Sequence, residues 1–460
     1  MSDPARFSVI DIVRQVTGGQ RSAAGVAAEA LARIAAYDAV QPHIWIERFA
    51  DAEVLAQAKR VDDRLAAGER LPLAGVPFAI KDNIDVAGLP TTAACPAFSY
   101  RPERSATVVE RLLAAGAVAI GKTNLDQFAT GLVGVRSPYG APGCVFNRAY
   151  VSGGSSSGSA VSVGAGLVAF SLGTDTAGSG RVPAAFNHLV GLKPTKGRWS
   201  TRGVVPACRS LDCVSVFAAD VADAALVDET LTGFDAEDVY SRRTQTLAPA
   251  PAPRLGVPLA SQLNWLGDGD STALHAAAID RLSVLYGAPI EVDIAPLLET
   301  APLLYYGPWV AERSFAMAGL LEHDPDAIHP VVRGIAEAGL VMTAVDAFKG
   351  QYQLQAFARA AEAIWSKVDV LALPTCATAY RIAEVEADPV KLNSNLGLYT
   401  NFVNLLDMSA VAVPAGFRGN GTGYGVTLMG PAWADRALLD LAARYEAATV
   451  LTPPPLDLRG

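Results

Sequence analysis

NRAYVSGGSSSGSAVSVGAGLVAFSLGTDTAGSGRVPAAFNHLVGLKPTKGR, residues 147–198, decides the reading of this chain. Two turns dense in serine and glycine, 152–159 and 173–180, bracket one apolar run, 160–172. Glycine tolerates positive φ and lets backbone N–H groups approach a ligand closely, while hydroxyls supply nucleophiles and proton carriers. Two such loops joined by a buried segment predict a single pocket, and an active site in it.

On the N-terminal side, residues 5–70 carry apolar residues at three- and four-residue intervals with charges opposite, in IDIVRQV, SAAGVAAEALARIAAYD and DAEVLAQAKRVDDRLAAGE. This spacing predicts an alanine-rich helical layer. A short apolar strand follows at 76–80 and ends on Lys81, an unusual place for a lysine. Residues 105–130 then read helix (107–115), strand (118–120) and helix (124–130), and such alternation predicts a sheet covered by helices. Beyond the serine region, 234–259 thin out into Ala-Pro alternation that reads as an extended connector, an excursion within one domain. The apolar strands VDVLALP (368–374) and MSAVAVPAG (408–416) still need a sheet to join.

Composition sets the limits. With 460 residues, 51% of them hydrophobic, the chain can bury a large core. A net charge of −9 opposes a nucleic-acid or anionic-membrane partner, because a basic surface supplies that affinity. The five cysteines, Cys95, Cys144, Cys208, Cys213 and Cys376, lack CxxC spacing, which argues against a disulfide framework and a thiolate zinc site. They are expected as free thiols in a reducing cytoplasm. The N-terminus has no secretory leader pattern, and no apolar run reaches the ~18 residues that span a bilayer, the candidate 160–172 being too short and too rich in glycine.

Two motifs fail on context. Residues 116–123, GAVAIGKT, match the phosphate-loop pattern GxxxxGK[ST], but the four residues between the glycines read as a strand, with Lys122 an exposed strand-end residue. GSSSG at 154–158 matches the nucleophile elbow that would make Ser156 the nucleophile, yet FNRAYVSG before it is a poor strand. A histidine base would also be needed. His43, His188, His275, His323 and His329 each read as surface or structural residues, and none pairs with another at metal-ligand spacing. Chemistry without histidine or metal must take its base elsewhere, and burial can lower a lysine's pKa toward neutrality. Lys81 is the leading base candidate. For Ser152, Ser156, Ser157, Ser159 and Ser171 taken singly, a turn or cap role is the expectation.

At these residues the chain resembles the amidase signature family. AIKDN around Lys81, GGSSSGSA at 153–160, GTDTAGSGRVPA at 173–184 and VGLKPT at 190–195 fall in that family's order and spacing. The resemblance implies a Ser-Ser-Lys triad with Lys81 as base, Ser155 as proton shuttle after a cis Gly154–Ser155 peptide, and Ser179 as nucleophile. It places the oxyanion on amides of Thr176, Ala177, Gly178 and Ser179. Where the general pattern is closer to DTGGSIR, this chain has DTAGSGR at 175–181, which with 191–218 and LLYYGPWVAER (303–313) resembles the allophanate hydrolase branch. That branch's substrate-binding pair falls on Tyr305 and Arg313; an anionic carboxylated urea calls for a guanidinium fork and a phenol donor.

The resemblance further implies an α/β amidase signature fold, a large mixed sheet of about eleven strands sandwiched between helical layers. A helical layer, 1–70, packs on a catalytic region, 71–460, as one continuous domain. The implied reaction is hydrolysis of allophanate, without cofactor or metal, through an acyl-enzyme, giving ammonia and N-carboxycarbamate. Another amidase of the same fold is the alternative: the A-type component of a transamidosome, or a biuret or malonamate amidase. The resemblance also implies, for full-length relatives, a further C-terminal domain that decarboxylates the product, expected to begin about where this sequence ends. A homodimer is expected, with urea carboxylase or a separate decarboxylating protein as partner.

Overall fold

Runs of β-branched and small apolar residues in the middle of the chain are buried on both faces, and they build one sheet. The computed structural model describes residues 6–245, 247 and 252–458. Eleven strands form it: β1 (Trp45–Arg48), β2 (Pro77–Lys81), β3 (Val118–Thr123), β6 (Phe170–Asp175), β7 (Val190–Lys193), β8 (Cys213–Ala218), β9 (Leu255–Pro258), β10 (Ile290–Val292), β11 (Val370–Pro374), β12 (Ser409–Phe417) and β13 (Gly423–Gly430). A separate ribbon pairs β4 (Gly143–Cys144) with β5 (Asn147–Val151). The order across the large sheet is β1-β3-β2-β6-β8-β7-β12-β13-β11-β9-β10. It is mixed: β3, β2 and β6 are mutually parallel, the middle is antiparallel, and β11, β9 and β10 are parallel again.

The parallel trio matters most. β2 and β6 pair with Ile80 opposite Leu172, so both end at the same sheet edge, one on Lys81 and the other on Thr174 and Asp175. That edge, at the carboxyl ends of parallel strands, is where α/β sheets present ligand-binding residues. The crossover into β6 is the helix Ser157–Gly164, every residue of which is buried. Its serine, glycine, alanine and valine side chains are short enough for it to pack on β2, β3, β6 and β8 at once.

The N-terminal helices Val9–Thr17, Ala23–Asp38 and Asp51–Ala66 bury Val9, Ala27, Ile34 and Val61 in the same core cluster as Phe78 and Phe170 of the sheet. Ser8 and Ser22 cap the first two, their hydroxyls accepting from the Asp11 and Gly25 amides. Leu303–Tyr306, Trp309–Ala316 and Ala344–Trp365 pack around a second set of apolar residues, and Pro330–Leu340 lies against Trp309–Ala316. No helix among the described residues is long and apolar enough to cross a membrane. All five cysteines are buried, and burial pushes the thiols of Cys144 and Cys213 up to about 11.

Four sequence expectations are corrected. The helix expected at 124–130 is a loop with one short 3-10 turn, Gln127–Ala129, because Phe128 and Ala129 sit at φ 50° and 51°. The stretch before the serine loop is a strand after all, β5, paired only with the two-residue β4 and bridged at Tyr150 to Arg381. The connector is shorter than 234–259, since Leu255–Pro258 joins the sheet as β9; its residues 246 and 248–251 lie outside the described residues. Lys122 is fully buried, not exposed: its Nζ lies 3.1 Å from Asp82 Oδ1 and donates to Thr91 Oγ1 at 3.0 Å. A buried ammonium needs such a partner, and Asp82 sits one residue past Lys81 on the neighbouring strand's end.

Candidate active site

Lys81, delivered by the end of β2, is 0% exposed, and the acceptors its Nζ meets are hydroxyls: Ser155 Oγ at 2.7 Å and Thr174 Oγ1 at 2.8 Å. No carboxylate among the described residues is bonded to it. Burial therefore lowers its pKa to about 7, and the more distant charges of Asp126, Asp212 and Asp175 recover only part of the loss. Thr174 is held in turn by Asn83 Nδ2, 3.4 Å from its hydroxyl, and Asn83 also donates to Val205 O at 3.0 Å.

The glycine-serine turn brings Ser155 to that amine. The Gly154–Ser155 peptide is cis. Ser155 O accepts from Asp126 N at 3.0 Å, fixing the turn on the 126–136 loop. The other serines satisfy backbone groups: Ser156 Oγ donates to Thr174 O, Ser157 Oγ to Asn124 O, Ser159 Oγ to Leu172 O and Ser171 Oγ to Ala79 O. Those serines are structural, and Ser156 bonds the backbone of β6 at Thr174.

Ser179 follows β6 in a turn built on Asp175. The Asp175 carboxylate accepts from the Gly178 and Gly180 amides at 2.9 and 3.0 Å and forms a bidentate pair with Arg181, Nε 2.9 Å and Nη2 3.0 Å away. Burial would push its carboxyl up, but Arg181 and the Gly180 amide outweigh burial and hold it below the usual carboxylate range. Gly178 has φ +130°, and a Cβ there would overlap Thr400 Oγ1, so glycine is required twice over. Of the four amides assigned to the oxyanion, that of Gly178 is already engaged by Asp175. Those of Thr176, Ala177 and Ser179 donate to no acceptor among the described residues. Thr176 Oγ1 makes a very short bond to Asp212, whose buried carboxyl is pushed up to about 6 and also accepts from the Ala207 amide at 2.8 Å.

Ser179 is 2% exposed, and its Oγ donates to Gly131 O at 3.3 Å; no hydrogen bond joins it to Ser155. The structure thus brings Lys81 and Ser155 into contact and leaves the second link of the expected relay open. Tyr305 and Arg313 do meet, with Arg313 Cζ 5.1 Å from the Tyr305 ring centre. Arg313 is 1% exposed; its Nη1 donates to Thr130 Oγ1 at 3.0 Å, its Nε has no partner, and it makes no ion pair among the described residues. Burial opposes its charge, and nearby groups, Asp212 and Glu312 among them, more than offset this, so it stays protonated.

Sequence reasoning missed the 126–136 loop that links these parts. Asp126 accepts from the amides of Val133, Gly134 and Arg136 at 3.2, 3.0 and 2.9 Å, folding the loop round its carboxylate. Thr130 and Gly131 then face Arg313 and Ser179. The signal was an aspartate and an arginine ten residues apart in an otherwise uncharged stretch. The histidines stay outside this chemistry: His188 stacks on Phe417 with ring centres 4.6 Å apart, His275 lies against Trp265, and His329 caps Pro330–Leu340. Among the described residues no group of three or more His, Cys, Asp or Glu side chains could hold a metal ion.

Known proteins resemble this chain in sequence and fold. The amidase family pattern matches residues 28–439. The chain is 49% identical over 405 residues to a urea amidolyase of Lachancea kluyveri, covering 87% of this chain and 22% of that one, about a fifth of its length. It is 38% identical over 479 residues to the A-type component of the glutamyl-tRNA(Gln) amidotransferase of Symbiobacterium thermophilum, covering 96% and 97%. The solved allophanate hydrolase of Kluyveromyces lactis superposes with a TM-score of 0.90 at 44% identity, covering 96% of this chain and 72% of that one.

Proposed function

Since the chain belongs to the amidase family, we propose that it hydrolyses allophanate at the site around Ser179. One observation carries this reading: a fully buried, protonated Arg313 with an unpartnered Nε and no ion pair among the described residues, set against Tyr305. Its fork makes one hydrogen bond, to a hydroxyl, and is paired with no carboxylate, so an anionic substrate can occupy donors that the fold leaves open. A neutral amide supplies no carboxylate. The likeness to the K. lactis allophanate hydrolase supports the same substrate.

In this reading Ser179 Oγ leaves Gly131 O, turns to Ser155 Oγ and attacks the terminal amide carbonyl. Neutral Lys81 takes the proton through Ser155 and returns it to the departing nitrogen, so ammonia leaves and an ester to Ser179 remains. The free amides of Thr176, Ala177 and Ser179 receive the oxyanion. Water, activated by the same relay, attacks the ester and releases N-carboxycarbamate, which loses carbon dioxide unaided or on a decarboxylating partner. A cytoplasmic homodimer working beside a urea carboxylase fits this reading.

A second reading, the glutamine-hydrolysing component of an amidotransferase, has in its favour the near-complete coverage of the S. thermophilum protein. Ammonia release measured with allophanate, biuret, urea, glutamine and simple amides separates the two. Allophanate must be the preferred substrate by kcat/KM; preference for glutamine or a neutral amide refutes the assignment.

A further inference from the structure

A second arginine, Arg136, is as deeply buried as Arg313, 1% exposed, and it too forms no ion pair among the described residues. Its Nη1 donates to Thr130 O at 2.9 Å and its Nη2 to Pro389 O at 2.6 Å, while its Nε has no partner. The charged and titratable groups that bear on it are Asp126, Tyr305, Arg313 and His329. Thr130 therefore carries both guanidinium groups: Arg136 grips its carbonyl and Arg313 its hydroxyl, which in turn donates to Phe128 O at 3.1 Å. Two neighbouring cations withdrawn from water repel each other, and that arrangement is tolerable where an anion is to be bound.

The grip is separable from the nucleophile. Ser179 uses the Gly131 carbonyl, and the Gly131–Leu132 peptide that carries it is held from its other side, where Leu132 N donates to Asn393 Oδ1 at 2.8 Å. Arg136 acts one peptide earlier, on the Thr130 carbonyl, and ties it to the 389 loop. We propose that Arg136 is a positioning residue for substrate specificity: through Thr130 it aims the Arg313 guanidinium at the substrate carboxylate and adds a second positive charge behind it. A planar fork spanning two carbonyls is needed for this, and a lysine keeps the charge while losing the fork.

The inference rests on the allophanate reading, and the experiment keeps the two apart. Arg136→Lys, Thr130→Val, Arg313→Ala and the double variant Arg136→Lys/Arg313→Ala are compared with the parent. Each is assayed on allophanate and on a neutral primary amide, with malonate as a competing dicarboxylate. Arg136→Lys should raise KM for allophanate and Ki for malonate roughly 5- to 30-fold, the range one lost buried contact produces, with kcat and neutral-amide turnover within about twofold. Thr130→Val removes the hydroxyl that Arg313 grips and keeps the carbonyl, so it should show the same selective loss; it carries the test if Arg136→Lys does not fold. In the Arg313→Ala background, Arg136→Lys should cost little more, because the residue it aims is gone. Equal losses on charged and neutral substrates, or losses that add to those of Arg313→Ala, overturn the inference and make Arg136 a structural staple. Malonate inhibition that is strong in the parent and undiminished in Arg136→Lys and Thr130→Val sinks this inference alone. A parent that neither turns over allophanate nor binds malonate sinks the proposed function, and this inference with it.

Discussion

Taking the pH from 8 to 6 should cost about tenfold in kcat/KM, because an amine with a pKa of about 7 is roughly ten-elevenths neutral at the upper value and one-eleventh at the lower. The magnitude comes from Lys81's surroundings: no exposure, two hydroxyl partners, and carboxylates only at longer range. The sign is that of a base, so activity falls on acidification. The same titration must appear in stability. Unfolded, the lysine holds its proton up to about 10.5; folded, it releases it near 7. Its contribution to stability is thus fully present above 10.5, is lost progressively as the pH falls from there toward 7, and is gone below 7. Between pH 7.5 and 9.5, urea denaturation should show the parent gaining about 3 kcal/mol relative to Lys81→Met, two pH units at about 1.4 kcal/mol each. The difference between the two proteins cancels other titrating groups. Activity that is flat from pH 6 to 8, or stability curves that run parallel in the two proteins, would refute the neutral-lysine argument.

Other outcomes follow from the same geometry. Ser179→Ala should abolish ammonia release with an unchanged circular dichroism spectrum; near-normal turnover would move the nucleophile elsewhere. Arg313→Ala should lower kcat/KM for allophanate roughly 10- to 150-fold, the loss expected for a charge-assisted hydrogen bond of ~1.5–3 kcal/mol, and change neutral-amide turnover far less. Asp212→Asn keeps an acceptor for Thr176 but removes a charge that raises the Lys81 pKa. The acid limb of its pH profile should therefore move below that of the parent, and a move upward would contradict the electrostatic picture. Gly178→Ala should cost activity and lower Tm together, since its methyl has to displace Thr400 from beside the nucleophile turn.

What could be read in advance depended on whether each residue's partner lay nearby in sequence. Lys81 stood out because an apolar strand ends on it. Lys122 was misread because the carboxylate that permits its burial is 40 residues away, on the end of the neighbouring strand. The 124–130 stretch has helical spacing, but the Asp126 carboxylate gathers three amides and pulls the backbone into the left-handed region at Phe128 and Ala129. Local propensity lost there to a tertiary hydrogen-bond cluster. β5 escaped notice for the opposite reason: its polar residues belong to an edge ribbon whose partner is two residues long. Ser155 and Ser179 were assigned by family resemblance. Loop composition alone did not separate them from Ser156, and the structure parts Ser155 from it by the amine contact.

The buried cysteines give the chain its own set of opening reporters. Cys144 lies in the main core, Cys376 beside Val151 and Phe186, Cys208 beside Trp309 and Leu304, and Cys95 beside Phe128 and Met317. Thiol reagents attack the exposed thiolate, and each of these side chains is shielded and held protonated by burial. Labelling can then proceed only as fast as the surrounding cluster opens, so the order in which the thiols react ranks the local stabilities of four packed regions. A native-state mass measurement of that order would map, without an engineered cysteine, whether the helices bearing Arg313 loosen before the sheet edge bearing Lys81.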